Sequence, residues 1–267
     1  MKKQHSKEAT LKLRQQQILI LLNRFRFLKR HQIQTMLNHK YMEKVRLWLN
    51  DLTQQVYIHR FYSRRFAGEP AVYCLATKSR GYLKNLKPNK EKGVETINQS
   101  LLNRIYREKQ LSKTFQTHCM FIADIYLSLL TLVNKNKAKL HFCTKTDLYG
   151  MKYLIRPNPD AYFAIEEENG TIKRYFLDIF DELPPRMILR RRIRQYFRYY
   201  EQGYWQDHAK KPFPEILLIF PDERSKRYVV RFVKKILENG DFPSFYLSTW
   251  QEIQKEGINR QVLHKVE

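Results

Sequence analysis

The sequence predicts an α+β or mixed α/β protein with a small N-terminal domain and a larger C-terminal one. Residues 1–87 contain three short helical patterns followed by two β runs. Residues 88–100 show no apolar periodicity and predict a linker. Over residues 101–267, helical and β patterns follow in the order α, β, β, β, α, β, α, β, which is typical of a mixed sheet flanked by helices.

The N-terminal patterns predict three helices and a two-stranded ribbon. Apolar spacing favours helices at 11–27, 31–37 and 42–56, and β runs at 57–62 and 71–76. The third helix carries one apolar stripe, formed by Val45, Leu49, Leu52 and Val56. This is the element order of a winged helix, in which the third helix enters the major groove and the ribbon tip contacts phosphates.

Two sets of residues would then face DNA. Lys44, Arg46 and Asn50 lie off the apolar stripe of the third helix, and Arg64 and Arg65 lie in the turn between the β runs. The alternative interpretation is a solvated basic surface that contacts another protein.

The charge predicts a polyanionic partner, because a formal net charge of +24 with a pI near 9.9 exceeds what solubility requires. Residues 1–90 hold 20 Lys and Arg against 4 Asp and Glu, a net +16, so two-thirds of the charge lies in one-third of the chain. No apolar run approaches the roughly 18 residues of a membrane span, and the first residues lack the apolar core of a signal peptide. We therefore expect nucleic acid as the partner and a cytoplasmic location.

Cysteine usage points to packing rather than to a disulfide framework or a zinc site. Three cysteines, far apart and without metal-ligand spacing, are expected to be small buried side chains in a reducing compartment: Cys74, Cys119 and Cys143.

The larger domain is predicted to begin with a helical stretch, residues 101–133, that bends or breaks near Ser112. His118 lies on its apolar face, and we interpret it as a core histidine rather than a catalytic one. Strands are predicted at 139–145, 155–163, 175–180, 216–220 and, at the sheet edge, 245–248, with helices at 187–200 and 226–238.

Two carboxylates, Asp160 and Asp178, lie in adjacent apolar strands. An acid in such a strand is costly to bury unless a cation pairs with it. If the strands pair, both carboxylates can reach one Mg²⁺, which prefers oxygen ligands and assists phosphodiester hydrolysis or transesterification. The alternative is that nearby arginines hold both acids for structural reasons.

The same residues resemble the PD-(D/E)XK nuclease fold in part. Pro159 and Asp160 match its Pro-Asp pair, and Asp178 matches its second acid. Phe180 stands where that fold has Lys, and a phenyl ring cannot orient a nucleophile or stabilise a pentavalent phosphate. The resemblance therefore supports the fold more strongly than it supports cleavage.

The predicted helix at 187–200 supplies a dense set of cations. Arginines at i, i+4 spacing repel one another by a few tenths of a kcal/mol per pair, so a phosphate backbone along the row is favoured over a merely solvated face. Leu189, Ile193 and Phe197 share a face predicted to be inward. Arg192 is a candidate replacement cation for the cleft, and the candidate DNA contacts are Arg190, Arg191, Arg194, Arg198 and Tyr196.

Together these motifs resemble the replication-relaxation family of plasmids and conjugative elements, related to the MobC type of relaxase. The matching segments are residues 20–27 with Gln32, 72–76 with Gly81, 118–129, 156–163, 176–180, Arg192 with Tyr196, and 216–224. The resemblance implies a winged helix joined to a restriction-endonuclease-like domain, double-stranded DNA at an origin-like site as partner, and contacts with other replication or transfer proteins.

Carried over by position, the resemblance assigns Asp160 and Asp178 as metal carboxylates. Asp147 stands where the family often has Glu, and Arg192 where it often has Lys. Three functions follow as alternatives: a Mg²⁺-dependent origin-nicking or relaxase-like enzyme, a non-catalytic initiator or accessory DNA-binding factor, and a winged-helix transcriptional regulator.

Overall fold

The computed structural model of the chain describes residues 11–62, 70–86, 97–182, 184–238, 242–259 and 262–267. It divides into two compact units, Met1–Ser112 and Lys113–Glu267. The predicted linker, 88–100, lies largely outside the described residues. Residues 101–112, which we expected in the second domain, belong to the first unit because their short helices pack on its last helix.

The first unit is a helical layer with a small antiparallel sheet in the order β1-β3-β2. Its elements are α1 (Leu13–Phe25), β1 (Leu28–Lys29), α2 (Arg30–Met36), α3 (Met42–Gln54), β2 (Ile58–Phe61), β3 (Val72–Leu75), α4 (Thr77–Asn85), a 3₁₀ helix (Gln99–Arg104) and α5 (Ile105–Glu108). Three helices followed by a two-stranded ribbon are present in the order expected. Strand β1 adds a third strand to the sheet, and at two residues it is too short to be predicted from the sequence.

The apolar stripe of α3 forms part of the core, as predicted, except at its last position. Val45, Leu49 and Leu52 are fully buried, whereas Val56 is exposed. The helix ends at Gln54, and Val56 adopts a positive φ of 60°, which turns it out of the stripe. Burial raises the pKa of Cys74, a core residue of β3, to about 12.

The second unit is a six-stranded mixed sheet with helices on both faces. Its elements are α6 (Lys113–Lys135), β4 (Lys139–Thr144), β5 (Ala161–Glu166), β6 (Ile172–Ile179), α7 (Arg186–Glu201), α8 (Tyr204–Ala209), β7 (Glu215–Phe220), α9 (Glu223–Leu237), β8 (Phe245–Thr249), α10 (Trp250–Glu256) and β9 (His264–Lys265). The strand order is β4-β5-β6-β7-β8-β9, with β6-β7 and β7-β8 parallel and the other pairs antiparallel. The mixed α/β fold class is thus confirmed.

Alternation along β6 separates the two faces of this sheet. Tyr175 faces the α6 side, where it stacks on Phe163 with ring centroids 4.8 Å apart. Phe176 faces the other side and packs on Tyr196 of α7. The buried cluster on that side joins strands β6, β7 and β8 to helices α7 and α9. Asp178, two residues beyond Phe176, therefore points toward α7.

Two predicted strands have different positions from those expected. The strand predicted at 155–163 forms later, as β5, and Asp160 precedes it, because Pro157 and Pro159 have no N–H to donate to a sheet. We expected residues 245–248 at the sheet edge, but β8 pairs with β7 on one side and with β9 on the other. The two-residue strand β9 takes the edge, and it is too short to produce an alternation in the sequence.

Helix α6 is long and apolar enough to cross a membrane by length and composition alone. That test is weak evidence, because a core helix of a soluble protein passes it as well. Ile125 and Leu129 of α6 are fully buried within the unit, which is typical of a core helix.

Candidate nucleic-acid interface beside a carboxylate cleft

The carboxylate of Asp178 is bound by the guanidinium of Arg192. Nε of Arg192 donates to Oδ2 at 2.5 Å and one terminal nitrogen donates to Oδ1 at 3.0 Å, so the pair is bidentate. Both side chains are about nine-tenths buried. A planar guanidinium fits a carboxylate in this geometry, and a buried pair of this kind needs its remaining donors satisfied as well.

Tyr196 and a backbone carbonyl complete the pair. The Tyr196 hydroxyl donates to Oδ2 of Asp178 at 2.9 Å, and Arg192 donates to the carbonyl of Pro157 at 2.8 Å. Burial, together with the charge of Asp178, raises the pKa of Tyr196 well above its usual value. Tyr196 is fully buried, so our expectation that it contacts DNA is not compatible with its position.

Asp160 comes just before β5 and lies across from Asp178, because Ala161 pairs with Leu177 in the antiparallel register. Its Oδ2 accepts the Ile179 amide at 2.9 Å. Its Oδ1 lies 3.3 Å from Nζ of Lys145. Burial alone would raise the pKa of Asp160, but nearby cations, His118 foremost, hold it well below its usual value.

His118 links Asp160 to a second acid that the sequence did not single out. Nε2 of His118 lies 3.4 Å from Oδ1 of Asp160, and Nδ1 lies 2.6 Å from Oδ1 of Asp181. Burial lowers the pKa of His118, but the hydrogen bonds and charges of the two carboxylates outweigh it and raise the pKa to about 10. His118 is therefore a charged, satisfied histidine at neutral pH, and the two acids neutralise it.

Asp147 does not join the other carboxylates. Its Oδ2 accepts from the Thr144 amide at 2.7 Å and from the Thr144 hydroxyl at 3.0 Å, which fixes the turn after β4. The metal-ligand role expected for Asp147 from the family resemblance has no support in this geometry.

The donor set does not suit Mg²⁺. Both oxygens of Asp178 accept hydrogen bonds from Arg192, and the Asp160 carboxylate already faces His118 and Lys145. A divalent cation would have to displace or approach these positive groups. Within the described part of the chain, no group of three or more His, Cys, Asp or Glu side chains could hold a metal ion.

The carboxylates nevertheless line a cleft of about 440 Å³. Phe180 forms part of its wall, where its ring stacks on Phe220 with centroids 5.1 Å apart. The nitrogen-bearing side chains at this cleft are Lys145, Asn158, Arg191, Arg192 and Gln195. Phe180 is thus a packing residue of the cleft wall.

The solvent face of α7 is basic. Leu189, Ile193 and Phe197 are buried, as predicted. The exposed residues include five arginines: Arg186, Arg190, Arg191, Arg194 and Arg198. A groove of about 490 Å³ runs among four of these arginines, from Arg190 to Arg198, and none of the described residues that line it is acidic.

Helix α9 adds a second basic face that sequence reasoning missed. The guanidiniums of Arg186 and Arg190 lie over the ring of Tyr228, at 4.8 and 5.4 Å from its centroid, and Arg194 lies 5.6 Å from that of Phe232. Beyond these aromatic residues, α9 exposes its own cations: Arg224, Arg227, Arg231, Lys234 and Lys235. These cations recur every three or four residues along the sequence, and that spacing could have predicted a basic helix face.

In the first unit, the residues predicted to face DNA differ in their solvent exposure and in whether their charge is already paired. Lys44 is exposed on α3, and Asn50 is half-buried. Arg46 is exposed but forms an ion pair with Glu43 one turn away, which compensates its charge. Arg64 and Arg65 lie outside the described residues.

A family model described as Replication-relaxation matches residues 19–216, which is most of the chain and reaches from α1 to β7. The chain belongs to the replication-relaxation family. Membership of this family indicates a role in the replication or relaxation of plasmid or other mobile-element DNA. No curated protein and no solved structure gives a significant match.

Proposed function

We propose that this replication-relaxation protein binds DNA at an origin-like site in the cytoplasm without cleaving it, as an initiator or accessory factor that works with other replication or transfer proteins. The observation that carries the proposal is the exposed arginine face of α7 beside a carboxylate that is already neutralised from within the protein. DNA supplies the negative charge that this face lacks.

The spacing of the arginines supports a phosphate backbone as the ligand. Arg186, Arg190, Arg194 and Arg198 repeat every four residues, so at a rise of 1.5 Å per residue the row extends over about 18 Å. One DNA strand presents a phosphate about every 3.4 Å along the helix axis, and the row thus spans about five phosphates. The basic face of α9 widens the same surface.

The first unit supports a second contact with the same ligand. Its element order, three helices followed by the antiparallel pair β2 and β3, supports a winged helix, in which α3 would enter the major groove. On this proposal Lys44 contacts DNA directly, and Arg46 would first have to leave Glu43.

The test is the salt dependence of binding to a short DNA duplex, measured by fluorescence anisotropy. Replacing Arg190 and Arg194 by Ala should weaken binding and flatten the plot of log K against log salt by about two slope units, because each arginine neutralises one phosphate. A matched control replaces two exposed lysines on other helices, Lys135 and Lys255, and should leave the slope unchanged. Equal effects of both pairs would remove α7 from the interface.

One observation favours a second candidate function, DNA nicking. Lys145, with its side chain 57% exposed, reaches Asp160 in the cleft and could supply the cation that Phe180 does not. Supercoiled plasmid incubated with Mg²⁺ or Mn²⁺ would be nicked by the native protein, and Asp160→Asn and Lys145→Ala would each abolish nicking. Intact plasmid, with binding retained, would support the non-catalytic function.

A further inference from the structure

A second cavity of about 690 Å³ lies at the C-terminal end of α7, where it is bounded by residues 152–156 and by α8. Its walls are rich in aromatic side chains: Tyr153, Tyr199, Tyr204 and His208. The rings of Tyr153 and His208 are parallel within 6°, with centroids 5.4 Å apart. Tyr204 is 49% exposed, so its ring is open to a ligand. A cavity of this volume has the size of sites that bind small planar molecules.

The inner wall of this cavity is rigid. The Tyr199 hydroxyl donates to the carbonyl of Tyr153 at 2.9 Å, which ties α7 to the segment opposite. Behind it, Trp205 is buried, and its indole donates to the carbonyl of Pro212 at 2.9 Å. A ligand would therefore meet a preformed aromatic surface, which lowers the entropic cost of binding.

The cavity continues the arginine groove of α7. Gln195 and Arg198 line both, and the remaining cations of the cavity are Lys152 and Arg156. Among the residues that the structure describes, no acidic side chain lines the cavity or the groove. A DNA backbone bound along the arginines of α7 would therefore reach, at the C-terminal end of the helix, an aromatic cavity with further cations around it.

We propose that this aromatic cavity binds an unpaired base of single-stranded DNA whose phosphates lie on the α7 groove. The inference rests on the proposed DNA-binding function and specifies the form of the ligand. Aromatic side chains next to a basic groove are the general means of holding single strands, since every base has a π-face. A base within a duplex is already paired and stacked on its neighbours, so only an unpaired base can enter.

The experiment compares three DNA probes: an oligothymidylate, an abasic oligomer of the same length, and a short duplex. The variant Tyr204→Leu/His208→Leu removes two exposed rings but keeps apolar volume and backbone charge contacts. We expect the variant to lose roughly 5- to 150-fold in affinity for the oligothymidylate, from the usual contribution of base stacking. Its affinity for the abasic oligomer and the duplex, and its salt slope, should match those of the native protein.

Controls separate this inference from the proposed function. Tyr149→Leu removes another exposed ring of the second unit, outside the cavity, and should change nothing. Arg190→Ala/Arg194→Ala should weaken binding of all three probes. An equal loss on the abasic oligomer, or no loss on the oligothymidylate, would overturn the base site while duplex binding still stood. Failure of the native protein to bind any of the three probes would overturn DNA binding itself.

Discussion

Asp178 is a buried acid whose charge is compensated by one side chain, Arg192, in bidentate geometry. Removing water from two charges is costly, and their attraction offsets this only when the geometry is good and the remaining donors and acceptors are satisfied. The Tyr196 hydroxyl donates to Asp178, and the Pro157 carbonyl accepts from Arg192. The pair therefore holds α7 on the sheet, and it leaves Asp178 without free charge for a metal.

The first prediction concerns the free energy of unfolding. Arg192→Ala leaves Asp178 buried and unpaired, and should destabilise the second unit by about 3–5 kcal/mol. The double variant Asp178→Leu/Arg192→Met replaces both charges by apolar groups and should recover most of that loss. Urea denaturation of the full chain measures both. A double variant as unstable as Arg192→Ala would contradict the explanation.

The second prediction concerns pH. His118 has its pKa raised to about 10 by Asp160 and Asp181, so it stabilises the fold fully below its unfolded pKa near 6.5, and this stabilisation is lost as the pH rises through about 10. Over that interval stability should fall by up to about 1.4 kcal/mol per pH unit from this residue. Denaturation midpoints of native protein and His118→Gln test this, and the variant should show the flatter pH dependence. If the stabilities of the native protein and the variant changed with pH in the same way, His118 would be excluded as the source of the pH dependence.

At the scale of elements, periodic segments were predictable and short ones were not. The helix predicted at 187–200 forms as Arg186–Glu201, because buried and exposed residues alternate over four turns. Strands β1 and β9 have two residues each, which is too few to show a period. Helices α8 and α10 span less than two full turns, so their sequences carry little amphipathic signal. Helix α2 is as short as α10 but was predicted, because Ile33, Met36 and Leu37 have helical spacing.

The candidate site follows the same rule. Asp160 and Asp178 stood out because acids interrupt apolar strands, and Arg192 because it lies one turn from Tyr196. The contact between His118 and Asp181 joins residues 63 positions apart, and only the tertiary fold brings them together. The role expected for Asp147 came from its position in the family pattern, and such a match does not show that its carboxylate also accepts from Thr144.

The third prediction compares two glycines in different elements. Gly257 ends α10 with φ 69° and ψ −174°, a region almost restricted to glycine, and a Cβ there would lie 2.5 Å from Oγ of Ser128. Gly257→Ala should destabilise by about 1–3 kcal/mol. Gly81 lies within α4 with nothing near its Cβ position, so Gly81→Ala should stabilise by roughly 0.5–1 kcal/mol. Thermal denaturation distinguishes the two, and effects of the same sign would refute the argument.

At the scale of the whole molecule, basic charge occurs in both units, although it is denser in the first third of the chain. On the proposed function, the formal charge of +24 would make association with DNA strongly dependent on salt, whatever the sequence bound. If both units bind one duplex, the slope of log K against log salt should reflect the sum of the phosphates that the two units contact.

The fourth prediction is that additivity. Arg64→Ala/Arg65→Ala should flatten the salt slope by about two units, as should Arg190→Ala/Arg194→Ala, and the four changes together by about four. Anisotropy titrations over a range of salt concentrations measure all three variants on one duplex. If the variant with all four substitutions had the same slope as either double variant, the two units would not bind that duplex together.

The pairing of Arg192 with Asp178 also limits how this protein could be changed into a nuclease. A Phe180→Lys substitution would leave Asp178 still hydrogen-bonded to Arg192 and Tyr196. Releasing Asp178 by substituting Arg192 would leave a buried, unpaired acid and a less stable fold. A free carboxylate at position 178 therefore cannot be obtained by changing position 180 alone, and releasing it by changing position 192 would cost stability.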